Sequence, residues 1–131
     1  MRKLKGLIIM LSILTSLFGM TACSDGGANS YEQITPEQAK MMMDTESEYI
    51  IIDARTTEEF AEGHIENAIL IPEYEIAARA EKELPDKDAL ILVYCRSGRR
   101  SKIASEELVK LGYTNVKEFG GIIDWPYEVV K

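Results

Sequence analysis

The segment that begins at Cys95 carries the strongest signal for chemistry in this chain. Cys95 ends an apolar run, and Arg96, Arg99 and Arg100 follow it within five residues. A cysteine acts as a nucleophile in its thiolate form, which nearby cations and the amide groups at a helix N-terminus both favour. We therefore predict that Cys95 is a nucleophile. The alternative is a buried cysteine that is followed by a solvated basic turn.

The distribution of charge indicates the kind of ligand that this segment binds. All 22 acidic residues follow Cys23, whereas three of the 15 basic residues precede it, so the chain beyond Cys23 has a net charge of −10. Such a chain repels nucleic acid, and no nucleic-acid partner is expected. Four of the remaining basic residues nevertheless lie within seven positions, at Arg96, Arg99, Arg100 and Lys102. This local cationic cluster favours a small anionic ligand.

The first 22 residues are typical of a bacterial lipoprotein signal peptide. Basic residues at positions 2, 3 and 5 precede a short apolar run, which ends in small residues before Cys23. The segment Met20-Thr21-Ala22-Cys23 resembles the lipobox, in which signal peptidase cleaves before a diacylated cysteine. We expect removal of residues 1–22, lipidation of Cys23, and an exported protein anchored at the extracytoplasmic face of a membrane. The alternative is an ordinary signal peptide with an incidental cysteine.

The rest of the chain divides into a short tether and one domain. Residues 23–30 are mostly small and polar, which is typical of a flexible linker. Residues 31–131 suffice for one compact domain with a single core. With Cys23 lipidated, Cys95 has no partner for a disulfide bond, and a dithiol oxidoreductase would require one. Thioredoxin-type chemistry is therefore not expected, and neither a cofactor nor a metal ion is predicted.

Predicted strands and helices alternate through this domain, which favours a parallel α/β sheet. The predicted strands are 49–53, 68–71, 90–94 and 116–119, and the predicted helices begin at Pro36, Thr57 and Glu73 and directly after the Cys95 segment. Ligands bind at the carboxyl ends of the strands in such sheets. We therefore expect Cys95, Asp53 and Arg55, each at or just beyond a strand end, to lie at one edge of the sheet.

Four separated segments together resemble the rhodanese family of sulfurtransferases. They are 52–65, which includes Gly63-His64-Ile65, then 67–72, the six-residue loop 95–100, and 112–125, which includes Gly120-Gly121. The resemblance extends from about residue 31 to residue 125 and implies a single rhodanese-like domain, with a mostly parallel sheet of about five strands flanked by helices. Glu66-Asn67 replaces the Pro-Gly that is usual in the family, and Asn67 is expected to tolerate a left-handed turn.

The resemblance also implies a two-step reaction. The Cys95 thiolate would take the outer sulfur of a donor such as thiosulfate, expel sulfite and hold the sulfur as a persulfide. A thiol or cyanide acceptor would then remove that sulfur. The backbone amides from Arg96 to Ser101, including that of Ser97, would stabilise the anionic sulfur, and Gly98 would permit the backbone angle that this requires.

The side chains around the loop are expected to divide the remaining roles. Arg96 and Arg99 are predicted to bind the anionic end of the donor, because guanidinium groups meet oxyanions in bidentate geometry. Arg100 is predicted to pair with a carboxylate at the rim of the site, such as Asp53. Ser101 is expected either to cap the following helix or to contact the sulfur.

Two further residues are candidates for a part in the chemistry. Arg55 either reaches the substrate or forms a local ion pair with Glu59, four residues later. His64 is the only histidine in the chain, and the resemblance implies a mainly structural role for it.

Two other classes of function remain as alternatives. A cysteine phosphatase also places a cysteine and an arginine on an anion-binding loop, but its arginine would fall at position 101, where this chain has Ser101. A loop that is one residue shorter suits a sulfur atom better than a phosphoryl group. The second alternative is a module that carries or senses sulfur, or binds a partner, without catalysing transfer.

Overall fold

The computed structural model describes residues 30–131, so the predicted signal peptide and the lipidation site at Cys23 lie outside the described residues. The described part contains a five-stranded sheet in the order β1-β5-β4-β2-β3, with every pair of neighbours parallel. The strands are β1 (Glu32–Gln33), β2 (Ile50–Asp53), β3 (Ile69–Leu70), β4 (Ile91–Cys95) and β5 (Val116–Gly121). The predicted α/β class and the five-stranded parallel sheet are confirmed.

Four α-helices connect these strands. They are α1 (Pro36–Thr45), α2 (Thr57–Glu62), α3 (Ile76–Glu83) and α4 (Arg99–Lys110), with short 3₁₀ turns at Glu73–Glu75 and Ile122–Asp124. The helix predicted to begin at Glu73 therefore starts as a 3₁₀ turn and becomes α-helical at Ile76. None of the helices within residues 30–131 combines the length and the apolar character needed to span a membrane.

The helix ends follow from local sequence. Thr35 and Thr56 each form a capping box with a residue three positions later, which fixes the starts of α1 and α2. Gly112, just beyond α4, has φ = 98°, and its amide donates to the Val109 carbonyl. The Tyr113 amide donates to the Leu108 carbonyl, which completes a Schellman motif.

Apolar side chains pack on both faces of the sheet. Ile91, Val93 and Cys95 of β4 point towards the core beneath α3 and α4, whereas Leu92 and Tyr94 point towards the core beneath α1. This alternation follows from the two-residue period of a strand. Since both faces are covered, β4 is buried along its whole length, and Cys95 at its end is 1% exposed.

A buried polar network joins the ends of β2 and β4. Asp53 is fully buried and accepts hydrogen bonds from Arg55 Nε at 2.9 Å and from the Tyr94 hydroxyl at 2.7 Å. Burial, together with the negative charge of Asp53, raises the pKa of Tyr94. The amide of Ile65 donates to the Tyr94 oxygen at 3.0 Å, and Arg55 Nη2 donates to the Gly63 carbonyl at 2.7 Å. The network therefore ties the segment after α2 to the centre of the sheet.

Candidate active site

The loop after β4 is short and places backbone groups against the Cys95 sulfur. Cys95 is the last residue of β4, and α4 begins only four residues later at Arg99. Gly98 precedes α4 with φ = 111°, a backbone conformation that glycine adopts without a steric penalty. Its amide donates to Cys95 Sγ at 3.0 Å. Gly98 therefore has the unusual backbone angle that its predicted role requires, and its amide is positioned to stabilise a negative charge on sulfur.

Ser101 also lies against the sulfur. Its hydroxyl oxygen is 3.3 Å from Cys95 Sγ, and the side chain is fully buried in the first turn of α4. The residue that precedes α4 is Gly98, so the alternative in which Ser101 caps the helix is wrong. Ser101 contacts the sulfur instead.

The three loop arginines differ in their surroundings. Arg96 and Arg99 are exposed, and neither forms an ion pair with another of the described residues. Arg100 is partly buried and makes a bidentate pair with Glu59 of α2, with N–O distances of 2.6 and 2.9 Å. The hydrogen bond and charge of Arg100 lower the pKa of Glu59 to about 2, although partial burial of the carboxylate alone would raise it. The pair fastens the start of α4 to α2.

The predicted pair between Arg100 and Asp53 is wrong. Asp53 is fully buried, and Arg55 and Tyr94 already occupy its oxygens. The alternative in which Arg55 forms a local pair with Glu59 is also wrong, because Arg55 pairs with Asp53 at 2.7 Å. Burial alone would lower the pKa of Arg55, but the hydrogen bonds and charge of Asp53 raise it. Arg55 is 5% exposed, a position that argues against contact with a substrate.

Glu118 belongs to the site, although it was not predicted from the sequence. It lies on β5, is 3% exposed, and its Oε1 accepts hydrogen bonds from the Ser101 hydroxyl at 2.6 Å and the Gly120 amide at 2.8 Å. In the parallel register Glu118 lies opposite Val93, two residues before Cys95. The signal that could have identified it is an acidic residue at an inward-facing position of an apolar strand.

Gly121 determines where the loop can lie. A Cβ added at this position would lie 1.9 Å from the carbonyl oxygen of Arg96 and 2.5 Å from the amide nitrogen of Ser97. The Ile123 amide donates to the same Arg96 oxygen at 3.3 Å. The Arg96–Ser97 peptide therefore lies directly against the backbone of β5. Ser97 is an exposed residue.

His64 and Asn67 have structural positions in the segment before β3. The His64 ring stacks on Phe60 with a centroid separation of 3.6 Å, and its Nδ1 lies 2.9 Å from the Phe60 carbonyl oxygen. Asn67 has φ = 67°, so the left-handed turn predicted for it is present. The arrangement of His64 agrees with the structural role that the resemblance implied.

Comparisons with known proteins find a family model and several relatives that match this chain. The sequence model of a family described as "Rhodanese-like domain" matches residues 35–126. The chain is 40% identical over 80 residues to thiosulfate sulfurtransferase PspE from Escherichia coli strain K12, covering 61% of this chain and 77% of PspE. It is 40% identical over 88 residues to a sulfurtransferase from Allochromatium vinosum, covering 66% of this chain and 79% of that protein.

A solved structure described as "rhodanese with anions from E. coli" is similar in fold as well as sequence. It has a TM-score of 0.61 and 38% identity, and the match covers 64% of this chain and 99% of that one. Other relatives are longer proteins, and this chain spans 24% of the length of one and 55% of another.

Replacing Gly121 with alanine should displace the loop. The new Cβ cannot remain 1.9 Å from the Arg96 oxygen, so we expect the free energy of unfolding to fall by about 2–3 kcal/mol, as for other overpacking substitutions. Urea denaturation measures this loss. Gly112→Ala is the matched control, because nothing lies within 4 Å of its added Cβ and only its positive φ is strained. Gly112→Ala should cost about 1 kcal/mol, and a larger loss there than at Gly121 would contradict the steric argument.

The Glu59–Arg100 pair should make stability depend on pH in the acidic range. Because the pKa of folded Glu59 is about 2, below its ordinary value of 4.5, the pair stabilises the protein above pH 4.5 and loses this effect as pH falls towards 2. Gln is the replacement of choice, since it retains the capping box with Thr56. We expect Glu59→Gln to lower the free energy of unfolding by about 1–3 kcal/mol at neutral pH.

Denaturant unfolding at a series of pH values checks this. The difference between wild type and Glu59→Gln should shrink towards zero as pH approaches 2, and Arg100→Gln should remove the same pH-dependent contribution. A difference that stayed constant across this range would show that the pair does not stabilise the fold.

Proposed function

Because this chain belongs to the rhodanese-like domain family, we propose that it transfers a sulfane sulfur from an anionic donor such as thiosulfate to a thiol or cyanide acceptor through a persulfide on Cys95. Its sulfurtransferase relatives support sulfur transfer in general. The specific proposal rests on the 3.0 Å hydrogen bond from the Gly98 amide to Cys95 Sγ, in the loop that leads into α4.

Each step balances without a cofactor. The Cys95 thiolate attacks the outer sulfur of thiosulfate, a new S–S bond forms, and sulfite departs with the electron pair of the bond that breaks. The product is a persulfide anion, so the total charge is unchanged. The acceptor then attacks the terminal sulfur, and Cys95 leaves as a thiolate. Each step therefore begins and ends with a negative charge on a sulfur atom at Cys95.

The surroundings of Cys95 are suited to this charge. The sulfur is almost completely buried, so the Gly98 amide acts on it with little screening by water. Exposed Arg96 and Arg99 have no competing carboxylate partner among residues 30–131 and remain available to bind the sulfonate end of a donor. A solved structure that is 38% identical to this chain is described as a rhodanese with anions, which supports an anionic ligand for this chain.

The direct test is to incubate the full chain with thiosulfate and determine the mass of the peptide that contains Cys95. We expect a gain of one sulfur atom, its removal by cyanide, and no gain in the Cys95→Ala variant. Absence of the adduct, with or without hydrolysis of an aryl phosphate, would overturn the proposal, and hydrolysis would favour the phosphatase alternative. An adduct that neither cyanide nor a thiol removes would favour a sulfur sensor.

Steady-state kinetics with thiosulfate distinguish direct binding of the donor by the loop arginines from a general effect of positive charge. Arg96→Ala or Arg99→Ala should raise the KM for thiosulfate about tenfold or more, because each loses a charge-assisted contact to the donor. Lys102→Ala is the matched control, since Lys102 is an exposed cation in the same first turn of α4. An equal effect of all three variants would indicate long-range attraction instead of direct binding.

We also propose that lipidated Cys23 anchors the domain at the extracytoplasmic face of a membrane. The support for this proposal is the sequence of residues 1–23, with its basic start, apolar run and lipobox-like end. Cys23→Ala should release the protein from the membrane fraction on cell fractionation, whereas Cys95→Ala should remain bound. Retention of Cys23→Ala in the membrane would contradict the anchor.

A further inference from the structure

A cavity of about 730 Å³ lies on the α1 side of the sheet. Tyr49 and Asn67, which line it, lie just before β2 and β3, so the cavity lies towards the amino ends of these parallel strands. Cys95 lies at the carboxyl end of β4 and belongs to the core on the other face of the sheet. The cavity is therefore separate from the site proposed for sulfur transfer, and its volume is typical of small-molecule sites.

Three aromatic side chains line this cavity, and they are Tyr49, Trp125 and Tyr127. Trp125 is 9% exposed and packs in the core beneath α1, and its ring meets that of Tyr127 edge-on with a centroid separation of 4.9 Å. The face of an aromatic ring is electron-rich and attracts cations. Lys40 shows this attraction within the protein, because its Nζ lies 5.6 Å from the centroid of the Tyr127 ring.

Hydrogen bonds hold the C-terminal wall of the cavity, residues 125–128, in place. His64 and Val130 exchange two backbone hydrogen bonds of 2.8 Å just beyond this wall. The indole Nε1 of Trp125 donates to the Glu128 carbonyl at 3.3 Å. A wall that is already ordered loses little conformational entropy when a ligand binds. The cavity is therefore largely preformed.

Carboxylates outnumber cations among the residues that line the cavity. Asp44, Glu66 and Glu128 are present with one cation, Lys40, so three negative charges against one positive charge leave a net charge of −2. Lys40 Nζ lies 2.5 Å from Asp44 Oδ1. Glu66 and Glu128 are exposed, and neither forms an ion pair with another of residues 30–131. The cavity therefore attracts a cation and repels an anion.

We propose that this cavity binds a small organic cation of the alkylammonium class. The apolar groups of the cation pack against Tyr49 and Trp125, and its charge lies towards Glu66 and Glu128. A quaternary ammonium group suits such walls because it binds to the faces of aromatic rings without hydrogen bonds. A metal ion does not suit them, since no group of three His, Cys, Asp or Glu residues within positions 30–131 is placed to hold one.

The fluorescence of Trp125 provides a direct test, because Trp125 is the only tryptophan in the chain and lines the cavity. The full chain is titrated at constant ionic strength with choline, with 3,3-dimethylbutan-1-ol and with 3,3-dimethylbutanoate. These probes have similar shapes and are cationic, neutral and anionic. We expect a saturable change with choline and a Kd of about 1 mM, with binding of the neutral probe about fivefold weaker or more.

Three results would overturn the proposal. Equal affinity for choline and the neutral probe would show an apolar cavity that does not select charge. Tighter binding of the anionic probe would show that Lys40 determines the ligand. A response to choline that does not saturate at about ten times the expected Kd would show that there is no site.

Substitutions of charged residues test the role of charge at the cavity itself. Glu66→Gln and Glu128→Gln should each weaken choline binding about threefold, and Lys40→Met should strengthen it by a similar factor, because a competing cation is removed. Glu106→Gln is the matched control, since it changes the net charge equally but replaces an exposed residue of α4 that does not line the cavity. An equal effect of Glu106→Gln would attribute binding to the net charge of the protein and contradict the proposal.

Removal of one ring tests the aromatic wall. Tyr127→Leu keeps an apolar side chain at a position that is 38% exposed, so the fold should persist. Choline binding should weaken about threefold or more, whereas binding of 3,3-dimethylbutan-1-ol should change little, because only the cation interacts with the ring face. A parallel change for both probes would show that the ring supplies apolar area alone.

The test is independent of sulfur transfer. Cys95→Ala should bind choline as the wild type does, and Glu128→Gln should form the Cys95 persulfide as the wild type does. Choline binding without persulfide formation would overturn the proposed function alone. Persulfide formation without choline binding would overturn the cation site alone.

Discussion

The close contact between the Arg96–Ser97 peptide and Gly121 is the constraint on which the site depends. Because Gly121 has no side chain, the loop can lie directly on β5 and still reach the start of α4 within four residues. This placement directs the Gly98 amide at the Cys95 sulfur. A loop held further from the sheet would need more residues and would leave the sulfur without its nearest donor. Gly121 is therefore needed because it has no side chain, and not only because glycine favours turns.

Charge is distributed so that, within residues 30–131, two cations at the rim of the site have no carboxylate partner. Asp53 is satisfied inside the protein by Arg55 and Tyr94, so it does not compete for the arginines of the loop. Glu59 binds Arg100 and fixes the start of α4. The remaining loop arginines stay exposed, and they are the ones that a solvent-borne anion meets first. Pairing within the domain thus selects which cations are structural and which can bind ligand.

Local patterns predicted the elements well, whereas the pairing of charges required the fold. The apolar runs of β2 and β4, the capping Thr35 and the glycine at position 98 follow from periodicity and backbone preference, and the structure has them where they were expected. Strand β1 was not predicted, because its two residues are exposed and polar at the edge of the sheet. Asp53 as the carboxylate partner of Arg100, and Glu59 as the alternative partner of Arg55, were wrong because the actual pairs depend on distances that no local pattern determines. Glu118 was missed for the same reason.

The two outer strands have a consequence for how the domain behaves among other chains. Strands β1 and β3 form the edges of the sheet, and each is only two residues long. Short edges present few free backbone donors and acceptors, so they give an incoming strand little to pair with. The longer, strongly apolar β2 and β4 lie inside the sheet, where their backbone groups are already used. Domains of this kind can therefore be crowded together on a surface without joining edge to edge into larger sheets.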